Sequence, residues 1–149
     1  MVIALVLQIL GDLFAPSNLP EASAIRLLVV SLSGVALFMV LNRSLPGMAI
    51  AAVGLALNAI VIFLNDAMPV SRWAARVAGV TSFGEGLGIK HEIAGPDTVL
   101  AFLGDVIPIP NTLQIVSVGD VVLAVGIAAL VYRRTLDGEP EIAATKVSD

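Results

Sequence analysis

Four side chains in this sequence have the chemistry for acid–base work in an apolar setting: Asp66, His91, Asp105 and Asp120. Asp120 stands in QIVSVGDVVLAVGIAALVYRR, residues 114–134, a run long enough to cross a bilayer and closed by two arginines. An ionisable group in lipid is expensive unless it faces protein or water, so such a residue is a candidate functional site. Asp105 lies in the middle of TVLAFLGDVIPIP, residues 98–110, another apolar stretch. Two carboxylates that meet share a proton, and one then serves as acid while the other serves as base. His91 titrates near neutrality, although beside Glu92 it also reads as part of a solvated loop pair. Amides that would meet these acids come from Asn58 and Asn65. The candidate catalytic residues are therefore Asp120, Asp105, Asp66 and His91. The candidate binding residues are Asn58, Asn65, Glu92, Asp105 and Asp120.

Other chemistries are poorly supported. The chain has no cysteine and one histidine. Thiol catalysis and a multi-histidine metal site within one chain are thereby excluded. Gly84-Glu85-Gly86-Leu87-Gly88 lacks the Lys-Ser/Thr that a phosphate loop needs. No metal site and no cofactor is expected. The net charge is −4 without a basic patch, which argues against nucleic acid.

The elements that must position these groups follow from composition. The chain of 149 residues is 58% hydrophobic and 13% charged, with a mean hydropathy of +0.98. A soluble domain is about 45–50% apolar and about a quarter charged. The excess lies in long runs, which predicts membrane spans. Ala24 to Leu41, Gly47 to Leu64 and Leu113 to Tyr132 are the predicted spans. Val2 to Phe14 is short for one and reads as a partial or tilted span, or as the remainder of one that begins upstream; a signal-peptide core cleaved near Ala22-Ser23-Ala24 is the alternative, opposed by the missing basic residues after Met1 and by Gln8 and Asp12. The expected fold class is an all-α polytopic transmembrane helix bundle of three to four spans. Thr98 to Pro110, broken by Pro108 and Pro110, would form a re-entrant or interfacial segment. Residues 1–136 form one membrane-embedded helical domain on this reading, and residues 137–149 a disordered polar tail. Arg43, Arg133 and Arg134 predict a multi-pass protein of the cell membrane with a cytoplasmic C-terminus.

Within the spans, Gly47, Ala51, Gly54, Asn58 and Asn65 fall on one helical stripe. The first three are small enough for a neighbouring helix to approach closely, as are Ser31, Ser33 and Gly34 on the preceding span. Asn58 reads either as interhelical glue or as a functional amide. It lies roughly 10 Å below the end of its helix, and Asp120 a similar distance from Leu113. The two should meet, in a polar pocket lined by Asn58, Asn65, Asp105 and Asp120. Ser71 is placed to cap a short helix, SRWAARVAGV, with Trp73 and Val77 on one side and Arg72 and Arg76 on the other, a pattern suited to a headgroup interface.

Several ordered pieces resemble a bacterial membrane family catalogued as domain-of-unknown-function family 5317. They are residues 42–47 (NRSLPG), Gly54 through Asn58, Asn65 with residues 68–71 (MPVS), His91-Glu92, residues 103–110 (LGDVIPIP) and residues 117–120 (SVGD). The resemblance implies an integral membrane protein and no assigned activity. A weaker similarity is to lipoprotein signal peptidase, a four-span aspartic peptidase. Asp105, then Val118-Gly119-Asp120, look like that family's closing motifs. On that likeness Asp120 is one member of a catalytic dyad, with Asp105 or Asp66 as the other. The sequence departs from it where Leu57-Asn58 leads to Val61 rather than to an aspartate, and where Ser117 or Val118 replaces a motif asparagine.

Three functions remain open on sequence alone. The first is a binding or assembly component with a polar pocket near one membrane face. The second is a membrane-embedded aspartic hydrolase. The third is an oligomeric proton- or ion-coupled transport module. The expected partners are the lipid bilayer and either a second copy of the chain or another membrane protein.

Overall fold

The computed structural model describes residues 21–80 and 91–137. The Val2–Phe14 run, the Gly84–Gly88 stretch and the tail beyond Asp137 lie outside these residues. Helix α1 spans Glu21–Leu41 and α2 spans Met48–Asn65. Strand β1, Met68–Val70, follows, and then the short helix α3, Arg72–Ala78. Strand β2 is His91–Ile93, and a 3₁₀ turn covers Ala101–Leu103. Strands β3, Asp105–Ile109, and β4, Gln114–Ser117, lead directly into α4, Val118–Asp137.

Helix α2 is the centre of the helical part, with α1 on one side and α4 on the other. Towards α4 it presents Ala51, Gly54 and Asn58, all buried. Backbone meets backbone there: a methyl group added to Gly54 would lie 2.5 Å from the Gly119 carbonyl oxygen and the Leu123 nitrogen. The predicted small-residue stripe thus forms the seam between α2 and α4. Towards α1, Ala52 and Leu55 pack with Ala36 and Met39, while Val61 and Ile62 pack with Ile25 and Met68. Ser31, Ser33 and Gly34 do not take part. They are exposed, and nothing lies within 4 Å of where a side chain on Gly34 would begin. The apolar residues Leu32, Val35, Ala36 and Met39 fill that interface instead.

The four strands form one mixed sheet in the order β2-β1-β3-β4. Strand β1 pairs parallel with β2 and β3, and β3 pairs antiparallel with β4. Because β1 follows the end of α2 and β4 runs into the start of α4, the sheet caps one end of the helices. Ser71 caps α3 as expected, accepting from the Ala74 N–H at 3.4 Å, and α3 packs on β3 and β4.

The architecture is therefore not the all-α polytopic bundle expected from sequence; helices are joined by a four-stranded mixed sheet. The expected re-entrant segment is a turn, a 3₁₀ turn and strand β3. The expected last span begins at Val118 rather than Leu113, because Gln114–Ser117 is committed to the sheet. That shift leaves Asp120, Arg133 and Arg134 within a 20-residue helix. Among the described residues one helix, α2, is long and apolar enough to cross a membrane.

Close backbone contact along the α2–α4 seam has a direct consequence. Gly54→Val should lower the unfolding midpoint, with a loss on the order of 2–4 kcal/mol. Gly34→Val, on the open face of α1, should leave the midpoint nearly unchanged. Equal effects of the two substitutions would show that the seam is not closely packed.

Candidate functional site

The junction between β4 and α4 is built from a local sequence signal, Ser117-Val118-Gly119-Asp120. A Ser at the helix start and an acid three residues later satisfy each other's backbone N–H groups. Here the Asp120 N–H donates to Ser117 Oγ at 3.0 Å, and the Ser117 N–H donates to Asp120 Oδ2 at 3.1 Å. The carboxylate also sits in the first turn of α4, where the helix dipole favours negative charge.

Asn58 closes this box from the neighbouring helix. Its Nδ2 donates to Asp120 Oδ1 at 2.8 Å, and its Oδ1 accepts from the Ser117 hydroxyl at 2.9 Å. Asn58 is buried and Ser117 fully so. Gly119 is required beside them, because a methyl group there would run into Asn58 Oδ1. The meeting of Asn58 and Asp120 follows the sequence expectation.

Asp105 joins from the sheet. It stands opposite Ser117 in the β3–β4 ladder and is only 5% exposed. His91 reaches it from β2, with Nε2 at 3.4 Å from Asp105 Oδ2. Burial pushes the Asp105 carboxyl from an ordinary 3.8 up to about 7, and the charge of Asp120 adds to the effect. The cluster Asn58, Asp105, Ser117 and Asp120, with His91 at its edge, is the candidate site.

Residues 1–132 match the model of a family described as "Family of unknown function (DUF5317)". The chain belongs to that family. No similar curated protein and no similar solved structure was found.

In this DUF5317 protein the other predicted site residues lie elsewhere. Asn65 does not enter the cluster. Its amide exchanges two hydrogen bonds with the backbone of Val99, at 2.9 Å each, and so ties the loop before the 3₁₀ turn to the end of α2. Asp66 is exposed at the end of α2, in a left-handed conformation with φ of 55°. With Glu92, also exposed, it lines an open cleft of about 360 Å³ that includes neither Asp105 nor Asp120. Among the described residues no group of three His, Asp or Glu side chains could hold a metal ion. Ser117 was not foreseen. Its signal is the Ser-x-x-Asp spacing from Ser117 to Asp120, which lies hidden inside the apolar run 113–132.

The raised Asp105 value fixes the sign of a pH effect. The native state keeps a proton that the unfolded chain gives up above pH 3.8, so the folded state is favoured most below that pH. That contribution is lost as pH rises through about 7 and is constant beyond. Unfolding midpoints should therefore fall between roughly pH 4 and pH 7. Asp105→Asn should flatten that fall and be the more stable protein at pH 8. A wild-type profile without the decline, or one unchanged in Asp105→Asn, would contradict a buried carboxyl of this kind.

Proposed function

We propose that this is a multi-pass membrane protein that performs hydrolytic acid–base chemistry with Asp105 and Asp120, at the boundary between its helices and its sheet. The observation that carries the chemical reading is the pair itself. Asp105 is buried and keeps its proton to about pH 7 beside the charge of Asp120, and two carboxyls with separated roles are what acid–base hydrolysis needs. The Asp120 carboxylate, oriented by Asn58 and Ser117, takes a proton from water as the water oxygen bonds to a substrate carbonyl carbon. Asp105 gives its proton to the carbonyl oxygen. The tetrahedral intermediate then collapses, the carbonyl re-forms, and the leaving group departs with a proton returned by the pair. This is the chemistry implied by the likeness to lipoprotein signal peptidase, and it is proposed on the burial of Asp105 and the charge of Asp120 near it rather than on kinship.

The membrane reading rests on outward-facing apolar residues. Leu27, Val30, Leu37 and Phe38 on α1, Val53, Ile60 and Phe63 on α2, and Val125 and Val131 on α4 are all exposed. So much outward apolar surface is what lipid would cover. Gly47 lies against Gly126 and Leu130, so Arg43, Arg133 and Arg134 gather at the end opposite the sheet. With positive charge inside, the C-terminus is cytoplasmic and the sheet lies on the outer side.

A second reading, a non-enzymatic assembly component, is favoured by a different observation. Both oxygens of Asp120 already accept hydrogen bonds from Asn58 and Ser117, as a purely structural cap would. The transport alternative has less support, because the α2–α4 seam beyond Asn58 is made of Gly54, Ala51, Leu123 and Gly126.

The two readings part on Asp105→Asn and Asp120→Asn, expressed in a host deleted for the gene. Hydrolysis requires both variants to lose complementation at normal abundance in the membrane. An assembly role requires Asp120→Asn to lower abundance, and Asp105→Asn, which leaves the cap intact, to complement fully.

A further inference from the structure

We infer that α3 is a docking surface for the anionic phospholipid headgroups of the bilayer in which the helices stand, holding the sheet and Asp105 against the membrane surface. The inference rests on the membrane reading above and adds a binding surface to it.

Helix α3 turns Ala74, Ala75 and Ala78 inward, all at 0% exposure, onto β3 and β4. Its outer arc carries Arg72, Arg76, Trp73 and Val77, all exposed. At about 100° per residue the two arginines are neighbours on that arc and the two apolar residues are neighbours beside them. Charge and apolar surface thus lie side by side along one helix, the arrangement of an element lying in an interface plane. Trp73 is 63% exposed, and an indole suits the headgroup level because its ring is apolar and its N–H polar.

Leu113 is a second, independent indication. Its N–H donates to the Ala78 carbonyl at 3.0 Å, which places it at the end of α3. Its backbone is left-handed, with φ of 59°, a conformation that costs a non-glycine residue on the order of 1 kcal/mol. Its side chain is nevertheless 68% exposed. Strain that holds a leucine outward at the end of the helix that carries an exposed tryptophan is understandable where lipid receives both.

Charge selects the class of lipid. Among the described residues neither Arg72 nor Arg76 makes an ion pair with a carboxylate, so both guanidinium groups are available to phosphate oxygens. The chain as a whole carries −4, which opposes general attraction to an anionic surface and leaves the effect to this local pair. Position ties the surface to the site: the Ser71 N–H, at the start of α3, donates to the Asp105 carbonyl at 2.9 Å. Docking of α3 thereby anchors strand β3, and with it Asp105, at the membrane surface.

Trp73 is the only tryptophan in the chain, so its fluorescence reports on α3 alone. The full chain is placed in nanodiscs of phosphatidylcholine, with and without phosphatidylglycerol, and Trp73 is quenched either by lipids brominated near the headgroup or by aqueous iodide. The inference requires bromolipid quenching that strengthens with phosphatidylglycerol and weakens with salt. Arg72→Gln and Arg76→Gln should each reduce that lipid preference, by about fivefold, while the protein stays in the disc. Trp73 open to iodide in both lipids, in protein that remains disc-bound, would overturn docking and leave the membrane reading intact. Trp73 shielded from both quenchers would also overturn it, by showing a protein partner or second copy on α3. Protein that is recovered outside the discs would remove the membrane reading, and the docking surface with it.

Discussion

The amide of Asn58 is the constraint on which the arrangement turns. It stands on α2, yet its two ends are engaged by residues of the β4–α4 junction, Asp120 and Ser117. The Ser117 hydroxyl receives the Asp120 N–H and gives its own proton to Asn58. A flipped amide would aim its oxygen at a carboxylate, so one orientation alone satisfies the ring. In a site this buried, an unpaired member would cost on the order of 1–3 kcal/mol, and the bonds support one another. One side chain therefore registers α2 against α4, fixes where α4 begins, and sets β4. Through β4 it also sets β3 and the position of Asp105.

That ring explains why the helices and the sheet act as one framework. The seam below it works by close backbone approach, where small residues give dispersion and weak Cα–H contacts without directional demands. A seam of that kind permits sliding. The ring does not, because a shift of one residue would separate Asn58 from both of its partners. Direction is supplied at one point and area along the rest.

The helical part was largely legible in the sequence, and the sheet was not. The stripe from Gly47 to Asn58 repeats at helical spacing, so its burial against another helix could be read locally. The meeting of Asn58 with Asp120 followed from counting depth along two helices, even though the start of α4 was displaced. Strands of three to five residues are too short to display a period of two. Pro69 and Pro108 argued against strands, and β1 is paired on both sides nonetheless. Its partnerships with His91–Ile93 and Asp105 join distant parts of the chain, which no local pattern encodes. His91 looked like part of a loop for the same reason: only the sheet carries it to Asp105. Asn65 had the right residue type and stripe for the site, but the loop backbone at Val99 claimed its amide first.

The order of the strands has a bearing on biosynthesis. Strand β1 leaves the ribosome before either neighbour, and its partner at Asp105 follows only after α3 and β2. At roughly 5–20 residues per second the wait is a few seconds. Until β2 emerges both flanks of β1 are open, and until β3 emerges one still is, beside a nascent apolar helix; open flanks invite pairing with the wrong chain. Pro69, at the centre of β1, supplies no amide hydrogen and so offers a foreign strand a broken ladder. A residue that weakens the finished sheet slightly thereby guards the unfinished one.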